Sequence, residues 1–152
     1  MDQLLSSSTA PDLAIAILLL APLVIYAAVQ GAGLLVVIIH ALLISGFLFL
    51  IFPYQQEIAA FSPWAPFVLF IALVVLSGLV LYRSVGPGSA SHKPLHIAIA
   101  ASALTLLLIS FSYHVVPIEQ FYDFGASFDQ FFGSVHNFFW ITALAILALF
   151  VV

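Results

Sequence analysis

The chain has 152 residues, the length of one domain, yet 65% of them are hydrophobic and 5% are charged, against roughly 25% charged in a soluble domain. Net charge is −4 with only two basic residues, which excludes the electrostatic footprint of a nucleic-acid partner. Cysteine is absent, so disulfides, thiolate metal ligands and thiol nucleophiles are excluded together.

Long continuous apolar runs point to an all-α integral membrane protein, since barrel strands alternate over about ten residues. The expected architecture is a single transmembrane domain over residues 1–152: a bundle of about five transmembrane helices with an interfacial amphipathic helix between the fourth and fifth. The N-terminal MDQLLSSSTAPD has two acids and no base. It lacks the positive region of a cleavable signal peptide, and the first run reads as retained.

The first span is expected over residues 12–29, with Pro11 suited to its first turn and Pro22 inside it. QGAG at 30–33 reads as a tight turn. A second span over 34–52 stops at Pro53, and residues 53–66 read as a proline-bounded loop with Tyr54 and Trp64 at interface depth. The third span, 65–82, leads into SVGPGSASHKP, a polar connection flanked by Arg83 and carrying Lys93. The positive-inside tendency assigns this loop to the cytoplasmic or equivalent side of a prokaryotic plasma membrane or an organellar inner membrane. The fourth span starts at Pro94 and runs over 94–114. The fifth, 137–152, measures about 24 Å at 1.5 Å per residue and is short for the hydrocarbon core. It ends on ALFVV with no polar flank, as if a partner shelters it or further residues follow. Threaded this way, Asp2, Asp12, Glu57, Glu119, Asp123 and Asp129 share one face, opposite Arg83 and Lys93.

The stretch VVPIEQFYDFGASFDQFFGSVHNFFW, 115–140, holds half of the acidic residues. At helical spacing Phe121, Phe124, Phe128, Phe131, Phe132 and Val135 fall in an arc of roughly 100°, with Glu119, Asp123, Ser127, Gln130 and Ser134 opposite. An amphipathic surface helix over 118–135 follows, weakened at Gly125 and Gly133 by up to about 1 kcal/mol each. Phe121, Phe124, Phe128 and Phe131 are expected to turn inward and, with Trp64 and Trp140, to anchor the protein. Surface helices that grip lipid usually carry basic residues, whereas here Glu119, Asp123 and Asp129 face a basic partner, a cation or water.

With no cysteine and a single methionine, the histidines are the residues able to bind haem or a transition metal. His40 with His96, or His114 with His136, could hold haem b or copper, although none has diagnostic spacing. His40 lies inside a span and is expected to find a partner on a neighbouring helix or to line a functional site. The segment LHIAIAASALTLLLISFSYH is loosely similar to small four-helix membrane proteins associated with terminal oxidase assembly; no residue role is carried over from that likeness.

No Ser-His-Asp arrangement, phosphate-binding loop or mid-span carboxylate stands out. Small residues at Ser45–Gly46, Ser77–Gly78 and Ala98–Ala103 mark helix seams. The expected role is therefore an accessory, non-catalytic subunit of a multi-subunit membrane complex, of the energy-transducing or respiratory kind. The sequence itself requires no cofactor, and the expected partners are other membrane subunits and bound lipid. The alternatives are a haem- or copper-binding subunit using the histidine pairs, and a small oligomeric cation channel with the acidic cluster at its mouth.

Overall fold

Helix α1 (Thr9–Gln30) turns at Gly31, whose φ of 85° suits a residue without a side chain, into α2 (Gly33–Leu50). A short α3 (Gln55–Phe61) precedes α4 (Ala65–Ser84), and α5 (Pro94–Val115) starts on a proline, whose missing N–H is harmless at a helix's first position. A short α6 (Ala126–Phe132) and α7 (Val135–Leu149) complete the order. The computed structural model describes residues 9–62, 64–84, 92–115 and 124–152. Among them every regular element is helical.

Four helices, α1, α2, α4 and α5, are each long and apolar enough to cross a membrane. Helix α7 has 15 residues, about 22 Å at the α-helical rise, and passes the same test only together with α6, from which it is bent by 65°.

Helix α5 is the centre. It packs on α1, α2 and α7 and buries ten residues, from Ile97 to Phe111, around much of its circumference. Helix α4 is the opposite case. It lies on α2 and α3, and Phe70 is its one buried residue. The α2–α4 seam is antiparallel: Phe49 meets Phe70 edge-on at 5.8 Å, Ser45 Oγ donates to Ser77 Oγ at 3.2 Å, and Gly78 faces Ala41. Such hydroxyl bonds between apolar helices contribute about 0.6–2 kcal/mol. The small residues let the two backbones approach.

The tightest contact joins α2 to α5. A β-carbon built on Gly46 would lie 2.5 Å from Phe111 Cζ. The Phe111 ring cannot retreat, because it is stacked on Phe70 at 5.3 Å and met edge-on by Phe138 of α7 at 5.3 Å. One ring thus joins four helices at a single level.

Two expectations about the connections change. Residues 53–66, read as a loop, contain α3, because Ile58, Ala59 and Ala60 between the prolines favour a helix that can rest on α4. The surface helix is confined by glycines: α6 starts after Gly125 and stops at Gly133. The expected residues 118–123 lie outside the described residues.

Replacing Gly46 with alanine should destabilise the bundle by about 1–2 kcal/mol, since overpacking costs roughly 1–3 kcal/mol against a helix-propensity gain of up to about 1 kcal/mol. Denaturant unfolding in detergent measures it. Combining Gly46→Ala with Phe111→Leu should recover most of the loss.

Candidate functional site at the acidic end

Chain order gathers the ends of α1, α5, α6 and α7 at one end of the bundle, together with α3. The described acids Asp12, Glu57 and Asp129 all lie there, while Arg83, in the last turn of α4, and Lys93, just before α5, lie at the other end. Asp2, Glu119, Asp123 and Phe121 fall outside the described residues.

In the sequence Asp12 is one acid among six, and the structure gives it a larger part. It is buried, 1% exposed, in the first turn of α1, where a carboxylate is favoured by the helix dipole. Its Oδ2 accepts the Gly125 backbone N–H at 2.9 Å. A side chain from the first helix thereby fixes the entry into α6, far along the sequence.

Around that tie stands an aromatic cluster. Tyr113, near the end of α5, packs on Phe124 at 5.3 Å and Phe132 at 6.1 Å. Phe124 stacks on Phe128 at 5.8 Å, and Phe128 meets Phe132 at 5.0 Å. Phe124, Phe128 and Phe132 form one stripe at four-residue spacing. Phe131, expected inward, is instead 49% exposed, while Phe132 is buried; adjacent helical residues point about 100° apart, and Phe132 has the inward phase. Trp64 and Trp140 stand partly exposed at the same end.

The Tyr113 hydroxyl donates to Asp129 Oδ1 at 2.8 Å. Asp129 therefore holds α6 to α5 within the chain, leaving its other oxygen for an outside group. Where α6 turns into α7, Asn137 Nδ2 donates to the Phe131 carbonyl at 3.0 Å. Below α6, an apolar groove between α1 and α5 is lined by Leu13, Ile17, Leu106, Ile109 and Phe128. Its chemistry suits an acyl chain.

The histidines do not converge. His40 Nδ1–H donates to the Val36 carbonyl of its own helix at 2.8 Å, so its polar partner comes from α2 itself. His96 lies part-buried in the first turn of α5. The Gly46–Phe111 level sets the parallel α2–α5 register, and His40 then stands about nine residues, roughly 13 Å, along the bundle from His96. His114 packs on Phe138 with ring centroids 4.4 Å apart. His136, two residues before Phe138, points away from that seam, and its Nε2 accepts the Trp140 indole N–H at 3.1 Å. Among the described residues no group of three or more His, Asp or Glu side chains is placed to hold a metal ion.

Three buried polar atoms lack a hydrogen-bond partner among the described residues: Ser110 Oγ, His114 Nε2 and Thr142 Oγ1. Each such atom costs about 1–3 kcal/mol if left unmade. Only His114 was singled out from the sequence. The four-residue spacing of Ser110 and His114, and Thr142 as the one polar residue of ITALAILALFVV, were the available signals.

Comparison with protein-family models, with curated proteins and with solved structures finds no match for this chain.

Replacing Asp12 with alanine should cost roughly 1.5–3 kcal/mol, the range for a hydrogen bond to a charged group, and should speed amide exchange across residues 124–132 in hydrogen–deuterium exchange mass spectrometry. Asp12→Asn retains an acceptor oxygen and should lose less.

Proposed function

We propose that this chain is an integral membrane protein serving as a non-catalytic accessory subunit of a larger membrane complex. The observation that carries this reading is α4. It packs mainly on α2, with smaller contacts to α3 and, through Phe70, to α5, and presents Val68, Ile71, Val75, Leu76, Leu79 and Val80 outward. Between membrane helices, association comes from close packing and hydrogen bonds rather than from the hydrophobic effect. A helix packed mainly on one neighbour leaves most of its surface uncovered by its own chain, and a neighbouring subunit's helix supplies a further seam. Lipid covers the remaining apolar surface, and the groove beneath α6 accepts an acyl chain.

At the acidic end, the side chains that carry charge are committed partly to internal ties, with Asp12 on Gly125 and Asp129 on Tyr113. These bonds favour a firm docking platform. The carboxylates that remain accessible there suit a basic or polar surface of the partner.

Two experiments test the reading. The chain lacks cysteine, so single cysteines at Glu57 and Arg83 report sidedness directly. With four crossings and the α6–α7 pair as a fifth, the two should react with an impermeant maleimide from opposite sides of the membrane. Labelling of both from one side would defeat the threading.

The second test places Val75→Trp or Leu76→Trp on the outer face of α4. A lipid-facing position tolerates a larger apolar side chain, whereas a protein seam does not. Insertion should be unchanged while native mass spectrometry shows several-fold less complex. A stable lone monomer, indifferent to these substitutions, would overturn the subunit reading. A Soret band with stoichiometric metal in the purified chain would move it to the cofactor-binding class.

A further inference from the structure

Ser110, His114 and Thr142, the residues with buried unpartnered atoms, meet along one seam. On α5, Ser110 is one turn before His114 and two turns after Ala103, so the three share a face. His114 touches Phe138 of α7, and Ala103 borders a cleft shared with Ile141 and Ala145 of α7. Ser110, between them, therefore faces α7. On α7, Thr142 is one turn after Phe138 and next to Ile141. The helices run antiparallel, which brings Thr142 level with Ser110 one turn below the His114–Phe138 contact.

Helical hydroxyls commonly satisfy themselves on the preceding turn, and α5 shows this twice. Thr105 Oγ1 donates to the Ala101 carbonyl at 2.8 Å, and Ser112 Oγ donates to the Ile109 carbonyl. Ser110 does not follow its neighbours. It is fully buried, at 0% exposure, with its hydroxyl unpaired.

An imidazole has no such recourse to its own helix at Nε2. The Phe132 backbone accepts a hydrogen bond from the His114 ring, and Nε2 is the nitrogen without a partner, so Nδ1 carries the donated proton. In the neutral ring Nε2 is then a lone-pair acceptor that needs a donor from the seam. Ser110 and Thr142 each offer one donor and two acceptor positions. The matching occupant is a small neutral molecule that both donates and accepts.

We infer that Ser110, His114 and Thr142 form a buried hydration site in the α5–α7 seam, binding one or two water molecules that bridge the two helices. Water meets both requirements and typically makes about three hydrogen bonds when buried. The apolar side chains around it, Phe111 and Phe138 among them, leave that bridge as the polar link between α5 and α7 at this level. This inference does not depend on the subunit reading.

Solid-state NMR of the full chain in lipid bilayers, with 15N-labelled histidine and 13C-labelled threonine, tests it. Magnetisation that starts on water protons should reach His114 Nε2 and Thr142 Cβ, and the Nε2 shift should be that of a hydrogen-bonded acceptor. In the Ser110→Ala, Thr142→Val double variant the transfer to Nε2 should fall several-fold while the remaining histidines keep theirs. An Nε2 shift typical of an unbonded nitrogen in the wild-type chain, with no water transfer, overturns the site. A hydrogen-bonded shift without water transfer overturns it too, in favour of a direct hydroxyl–imidazole bond. Because the wild-type measurement alone distinguishes these outcomes, a double variant that fails to fold leaves the test intact.

Discussion

Everything in this bundle leans on the close approach of α2 and α5 at Gly46. With no β-carbon there, the Phe111 ring sits against the α2 backbone and meets Phe70 and Phe138 at the same level. That ring is the common neighbour of α2, α4, α5 and α7. A side chain at position 46 would push α5 outward and loosen three seams at once. The arrangement explains why α5 buries residues around much of its circumference, whereas α4 buries only Phe70.

Polar groups in so apolar a chain have few places to go, and their positions follow from that scarcity. The hydroxyls of Thr105 and Ser112 on α5 turn back onto their own helix, Ser45 and Ser77 pair across the α2–α4 seam, and His40 bonds its own helix. The longer-range ties, from Asp12 to Gly125 and from Tyr113 to Asp129, cluster at one end. There they hold the short α6 across the bundle, a helix too brief to be stable alone.

The long helices were legible because each apolar run is punctuated by residues with a local physical meaning: Gly31 for the turn after α1, and Pro94 for the start of α5. Local reasoning erred where a choice depended on neighbours. Prolines at both ends of 53–66 hid the two turns of α3, and the phase of α6 placed Phe132 inward where Phe131 was expected. The seam residues Ser45, Gly46, Ser77 and Gly78 were legible as small residues, but not as the specific partners of Phe111 or of one another. The burial of Asp12 and the meeting of Ser110 with Thr142 were invisible in sequence, because they follow from which helices pack on α5. Periodicity along one helix carries no information about that pairing.

The central position of α5 also bears on how such a chain is made. Helices α1 and α2 are joined by a tight turn, yet α1 packs mainly on α5, which emerges from the ribosome only after α4. In chain order, the first helix therefore precedes its principal partner, whereas α2 and α4 share the seam through Ser45 and Ser77 before α5 is reached. Only with α5 in place do α1, α2 and α7 share a common neighbour.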